Sequence, residues 1–150
     1  MANTYTQILY HIVFSTKNRA PVLQADRREE LFRYIWGIHQ GLQCHLYRLN
    51  GMEDHLHILT SLHPSLSLAD YIRELKTGTS RWISKEAIFP GFMGWQDGYG
   101  AFTVSVREKD AVIRYIKDQQ IHHQKTDYLD EYRHLLEEAK IQYDDQYIPG

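Results

Sequence analysis

The chain is poor in cysteine and proline, has no long apolar run and carries no excess of positive charge. Its 150 residues include one cysteine, Cys44, and four prolines. A lone thiol excludes an intramolecular disulfide and a cysteine-rich zinc site; it fits a reducing compartment, where Cys44 is expected to be a small buried apolar residue. No apolar stretch approaches the roughly 20 residues that cross a bilayer, and residues 1–7 hold no basic region followed by an apolar run. A soluble, cytoplasmic protein is therefore expected. With 17 Lys/Arg against 19 Asp/Glu, the net charge of −2 excludes a uniformly basic surface. A local basic surface remains open, because residues 1–107 carry 11 Lys/Arg and 9 Asp/Glu while residues 108–150 carry 6 and 10. What is present suits one globular domain over residues 1–150, with a core over 1–123 and a helical tail over 124–150: 43% hydrophobic residues, 13% aromatics and no internal repeat.

Apolar spacing alternates between strand and helix periods. Thr6 to Thr16, β-branched and aromatic without Pro or Gly, predicts a strand ended by Lys17-Asn18-Arg19 and Pro21. From Asp26, an N-cap candidate, to Gln40, the residues Leu31, Tyr34, Ile35 and Ile38 recur at helical spacing, and Gly41 supplies a stop. A second strand is expected from Gln43 to Asn50, a turn at Asn50-Gly51, and a third strand from His55 to Leu62. Ser67 is placed to cap a helix carrying Leu68, Tyr71, Ile72, Leu75, Trp82 and Ile83, with Gly78 as a weak point. After the glycine-rich segment 89–100, a fourth strand is expected from Ala101 to Val106, then helices from Lys109 to His123 and from Asp127 to Lys140. Strand, helix, strand, strand, helix, strand is the order of the α+β ferredoxin-like (RRM-like) sandwich, whose antiparallel sheet has its first and third strands central. Helices are expected on one sheet face, with the other left for a ligand or partner. His11 falls near the third strand in a supporting or core role.

The chemistry concentrates in Asp54-His55-Leu56-His57-Ile58-Leu59. Side chains two apart on a strand share a face, so His55, His57, Leu59 and Ser61 lie opposite the core-facing Leu56, Ile58, Thr60 and Leu62. Two imidazoles on one face make a metal-binding pair, although such a pair also occurs in ordinary strands. Asp54 points the other way in a regular strand and reads as a turn or supporting carboxylate. On the later helix Tyr115 and Gln119 are four residues apart and project from one face, beside Val112 and Ile116, with His122 or His123 extending it. A helical tyrosine beside isoleucine is usually a packing residue with a wet hydroxyl, so this pair gains meaning only from the histidines.

Five segments in this order and spacing carry a resemblance: Tyr10 to Arg19, Gly51 to Leu59, Leu75 to Ile83, Trp95 to Phe102, and Tyr115-Ile116-Lys117-Asp118-Gln119. They resemble the single-tyrosine HUH transposases of the smallest bacterial insertion sequences and their repeat-palindrome-associated relatives; HUH denotes His, a hydrophobic residue and His. The resemblance covers nearly the whole chain. It implies a metal-dependent DNA strand transferase that cleaves and rejoins single-stranded DNA at hairpin-bearing element ends, acting on the nucleoid of a bacterial cytoplasm. It further implies that His55, His57 and Gln119 hold one divalent cation, Mg²⁺ or Mn²⁺, and that Tyr115 attacks the scissile phosphate to form a 5′-phosphotyrosine link. Two imidazoles and an amide oxygen leave positions open for water and phosphate, as a catalytic site requires. A homodimer is expected, with no nucleotide cofactor. Several members carry a glycine-containing hinge before the tyrosine helix; residues 106–110 contain no glycine, which counts against a swinging helix. The tail after Gln124 resembles the repeat-associated branch, some of whose members act alone.

Arg73, Lys76 and Arg81 on the second helix, with Lys17 and Arg19 after the first strand, are candidates for DNA phosphate contacts or form an ordinary solvated face. Trp95 and Tyr99 either stack on unpaired bases or anchor their loop on the core. A non-catalytic single-stranded nucleic-acid binding module would leave the histidine pair unexplained. A small phosphodiesterase usually needs a further histidine in phase, where Leu59 stands. An HUH replication initiator shares the chemistry but usually adds helicase or further DNA-binding segments.

Overall fold

The computed structural model describes residues 3–145 and 148. In chain order the elements are β1 (Leu9–Ser15), α1 (Ala25–Gly41), β2 (His45–Gly51), β3 (His55–Ser61), α2 (Leu68–Glu86), β4 (Gly100–Val104), α3 (Lys109–Lys117), α4 (Gln119–His122) and α5 (Tyr128–Glu138), with a 3₁₀ turn at Lys17–Arg19. The strands form one antiparallel sheet in the order β2-β3-β1-β4, which is the expected ferredoxin-like arrangement. The register sets His11 opposite Leu59, Val13 opposite His57 and Ser15 opposite His55. The histidine strand is thus central, flanked on both sides.

Strand alternation decides what each face carries. Ile12 and Phe14 of β1 and Leu56 and Ile58 of β3 point one way, into a cluster with Leu31 and Ile35 of α1 and Tyr71 and Leu75 of α2. Fully burying a side chain of this size contributes about 1.5–3 kcal/mol, so this face supplies most of the apolar drive. On the other face Leu9, Leu59 and Val104 pack against Ile116 of α3, and Val13 packs with Tyr128, Tyr132 and Leu136 of α5. The expectation of an open second face is therefore not met. Both α3 and α5 carry an apolar stripe, and the second sheet face is the surface on which those stripes are buried.

Several local expectations shift for identifiable reasons. Gln24, not Asp26, is the N-cap of α1, and Asp26 sits in the first turn, where its charge suits the helix dipole. Ser67 caps α2 as expected, accepting from the Asp70 N–H at 3.1 Å. Gly78 does not interrupt α2; a Cβ there would lie 3.2 Å from Ile38 Cδ1, so the glycine lets α1 approach closely. Asn50 and Gly51 belong to β2 rather than to the turn. The turn follows at residues 52–54, closed by the Met52 N–H donating to the His55 carbonyl at 3.0 Å. The helix expected from Lys109 to His123 is broken at Asp118 (φ −94°, ψ 21°). Asn50 spans the break: its amide donates to the Ile116 carbonyl at 2.9 Å and the Lys117 carbonyl at 3.0 Å. Gln120 replies, donating to Asn50 Oδ1 at 2.9 Å and the Gly51 carbonyl at 3.0 Å. The end of β2 therefore fixes where the two short helices sit over the sheet.

Candidate active site

His55 and His57 are fully buried on the sheet face away from the larger core. Each ring is anchored through Nδ1, His55 by Asp54 Oδ1 at 2.7 Å and His57 by His11 Nε2 at 2.8 Å. Anchoring one ring nitrogen fixes the ring plane and aims the other nitrogen. Both Nε2 atoms converge on Glu131 of α5, whose Oε1 lies 2.9 Å from His57 Nε2, 3.4 Å from His55 Nε2 and 3.0 Å from His123 Nε2. One ligand atom from each of these four residues falls within 4.8 Å of the others.

Tyr115 and Gln119 reach the same place from α3 and α4. The Tyr115 hydroxyl donates to Glu131 Oε2, and its ring centroid is 5.8 Å from that of His57. Gln119, fully buried, sets Oε1 3.2 Å from His55 Nε2 and 3.0 Å from His123 Nε2, while its amide donates to Glu131 Oε2 at 3.0 Å. Four residues singled out from the sequence, His55, His57, Tyr115 and Gln119, thus meet within one chain. His123 stood there as one of two ways to extend the helix face, and Glu131 was missed. A signal existed: Tyr128, Tyr132 and Leu135 mark the apolar stripe of α5, and Glu131 is a carboxylate on that stripe.

Burial and charge pull these groups in different directions. Burial pushes His57 down to about 4, against the raising influence of Glu131 and with help from the neighbouring His55 and His123. Burial and then His57 push His11 down to about 3. For His55 burial again acts to lower the pKa, but the Asp54 and Glu131 carboxylates together outweigh it and raise it to about 9. Glu131 is held well below the usual carboxylate range, because hydrogen bonds from His123, His55 and His57 overcome the burial that would raise it. Tyr115 is pushed up, by burial first and by Glu131 second. A buried carboxylate ringed by imidazole nitrogens, each histidine of the pair tethered from behind, is a donor set that fits a divalent cation.

The residues considered for DNA contact are dispersed. Lys76 donates to the Gln96 carbonyl at 2.8 Å and the Gly98 carbonyl at 2.7 Å, pinning the glycine-rich loop to α2, and burial lowers its pKa. Trp95 is 9% exposed, meets Phe14 and Phe92 edge-to-face, and donates its indole N–H to Thr79 Oγ1 at 2.8 Å. Tyr99 is half-buried against the larger core. Both aromatics sit as loop anchors. Arg73 pairs with Asp70 at 2.8 Å, Lys17 and Arg81 are exposed, and Arg19 is half-buried in the 3₁₀ turn with a positive φ of 53°. Lys76, Arg81 and Trp95 line one shallow hollow beside the loop. Arg73, Lys17, Arg19 and Tyr99 are not part of it.

A sequence profile described as "Transposase IS200 like" matches residues 4–119. Over 122 residues the chain is 29% identical to the ISDra2 transposase TnpA of Deinococcus radiodurans, covering 75% of this chain and 84% of that protein. The crystal structure of a Deinococcus radiodurans R1 protein assigned as a transposase superposes with a TM-score of 0.61 at 26% identity, covering 79% of this chain and 96% of that one. A REP-associated tyrosine transposase bound to a REP hairpin gives a TM-score of 0.61 at 14% identity, over 82% of this chain and 74% of that one, a likeness of fold alone. The matched span contains His55, His57, Tyr115 and Gln119 and stops short of His123 and Glu131. This chain belongs to the IS200-like transposase family.

Proposed function

We propose that the protein cleaves and rejoins single-stranded DNA at hairpin-bearing ends, with Tyr115 as nucleophile. The observation that carries this reading is the convergence of Tyr115 with His55, His57 and Gln119 in one buried pocket of a single chain. Packing alone does not call for a phenol, an amide and three imidazoles around one carboxylate. Tyr115 Oη gives up its proton and attacks the scissile phosphorus, the bond from phosphorus to the 3′ oxygen breaks, that oxygen takes up a proton and leaves as a 3′-hydroxyl, and a 5′-phosphotyrosine ester forms. That ester keeps the phosphodiester linkage, so a second 3′-hydroxyl reverses the step and joins new ends without ATP. Asp54 and His11 hold the two imidazoles in place, and Glu131 orients the tyrosine hydroxyl that it accepts from. His55, His57 and Gln119, with His123 and Glu131 in the same pocket, would hold a divalent cation, Mg²⁺ or Mn²⁺. Imidazole-rich donors suit Mn²⁺ better than the oxygen-preferring Mg²⁺. When bound, the cation supplies Lewis-acid polarisation of the phosphate.

A homodimer is part of the proposal, with β4 as a sheet edge at which copies can meet. Incubating the protein with single-stranded DNA carrying candidate hairpin ends and Mn²⁺ tests the reading: a denaturation-resistant protein–DNA adduct is expected. His57→Ala should abolish its formation and leave hairpin binding largely intact. Undiminished adduct in that variant would remove the histidine pair from the chemistry.

A further inference from the structure

A groove of about 550 Å³ runs along the β2 edge of the sheet, between α1 and the α3–α4 junction. Its walls include Phe32, Arg33 and Trp36 of α1, Arg48 of β2, and Lys117 and Gln120 at the junction; Glu29 is its one carboxylate. A second hollow of about 380 Å³ shares Glu29, Phe32, Asn50 and Gln120 with it and continues past Arg28 to Met52 and Glu53 at the hairpin turn. The tryptophans differ sharply in their surroundings. Trp95 is buried, Trp82 stacks on Tyr34 with ring centroids 4.6 Å apart, and Trp36 is 56% exposed. Arg33, Arg48 and Lys117 are exposed, and none of them forms an ion pair among the described residues. A register shift between Leu46 and Arg48 marks a bulge in this edge strand, a device that re-aims side chains.

We propose that this groove binds unpaired nucleotides of the DNA strand, with a base stacked on Trp36 and phosphates held by Arg33, Arg48 and Lys117. The inference rests on the single-stranded DNA reading above and deepens it by placing a strand-binding surface outside the reaction pocket. An exposed indole among three unpaired cations combines the two elements of sequence-tolerant single-strand binding: a stacking face and a charged track for the backbone. Two hollows in series, each within the size range of small-ligand sites, give room for more than one nucleotide. A second copy of this chain is the poorer occupant, since a two-fold contact would set the three cations against their own images. The groove also adjoins the chemistry. Gln120 lines it while the preceding Gln119 lines the pocket, so an occupant touches the four-residue helix that presents Gln119.

The test uses the whole protein and a fluorescein-labelled oligo-dT 12-mer, read by anisotropy at several salt concentrations, with light scattering for the oligomeric state. The charge-reversed Arg33→Glu/Arg48→Glu protein is expected to bind at least tenfold more weakly, with a salt slope shallower by about 1 to 2. Trp36→Ala should weaken binding with the slope unchanged, and Trp36→Phe should remove any quenching of tryptophan emission by the oligonucleotide. Unchanged affinity and slope in both the double and the Trp36→Ala variants overturn the proposal. So does a wild-type dimer that the charge reversal dissociates while oligonucleotide binding stays constant, which gives the groove to a second copy. Adduct formation is followed in parallel. A wild type that forms the adduct while groove variants bind normally overturns the groove alone; a wild type that neither binds single strands nor forms adduct overturns the functional reading and the groove with it.

Discussion

His57 meets Glu131 at Nε2 and His11 at Nδ1, so its two ring nitrogens cannot both donate while the ring is neutral. Without a cation the chain of contacts is satisfied when His57 donates from Nε2 to Glu131 and accepts at Nδ1 from His11. A cation at Nε2 requires the proton at Nδ1, with His11 Nε2 now accepting it. His11→Phe removes that acceptor, and Mn²⁺ affinity of the DNA-free protein is expected to fall about 10- to 100-fold by calorimetry. An unchanged affinity would take His11 out of the site. The same groups set a pH dependence for the metal-free fold. His57 and His11 have folded-state pKa values of about 4 and about 3, below the ordinary 6.5. Folding favours their neutral forms, so their contribution is complete above 6.5 and is lost as the pH falls toward 4 and 3. His55 is raised to about 9, so its contribution is complete below 6.5 and is lost as the pH rises through 9. Thermal unfolding should therefore show a maximum near pH 6.5 with a decline on both sides; a midpoint still climbing at pH 9 contradicts this balance.

Asn50 and α5 do at the scale of elements what Asp54 and His11 do for single rings. Asn50 holds the carbonyls exposed by the α3–α4 break, and Asn50→Ala leaves them without that donor, an expected loss of about 1–3 kcal/mol in urea unfolding. A loss under a few tenths would mean that water replaces the clamp. Glu131 is 4% exposed and accepts from histidines, glutamine and tyrosine together. Removing it with Glu131→Ala leaves the buried donors of His57, Gln119 and Tyr115 without their shared acceptor while His55 keeps Asp54, and a cost of about 1–3 kcal/mol to the metal-free protein is expected from denaturant titration. Stability equal to wild type would show that α5 docks through its apolar stripe alone. The elements also show what a sequence can disclose. The strand period of two put His55 and His57 on one face, and the i, i+4 relation put Tyr115 near Gln119, even though Asp118 breaks the helix between them. Local geometry decides both. Glu131 was hidden because it arrives through the turn at residues 123–127 and the docking of α5, and the strand role of Asn50-Gly51 was hidden because a turn-forming pair was recruited as a clamp by helices 66 or more residues away.

Across the whole molecule the sheet divides labour between its faces. One face, under α1 and α2, carries the larger apolar cluster. The other, under α3, α4 and α5, carries the histidines and the tyrosine. The strand and helix order made the ferredoxin-like sandwich legible, because binary patterning fixes element type and only a few topologies join such elements. Coverage of the second face was not legible, since it depends on where the C-terminal helices dock. A net charge of −2 likewise conceals cations gathered at one sheet edge. Among the described residues no helix is long and apolar enough to cross a membrane. The central claim is that this fold delivers Tyr115 to a phosphate as the nucleophile. Its most direct test is to trap the protein on single-stranded DNA with a candidate hairpin end, digest the adduct and locate the nucleotide-bearing residue by mass spectrometry, with Tyr115→Phe in parallel. The expected result is a nucleotide on Tyr115 and no adduct in the variant; a nucleotide on Tyr99, Tyr128 or any other residue, or an adduct that survives Tyr115→Phe, would contradict the account.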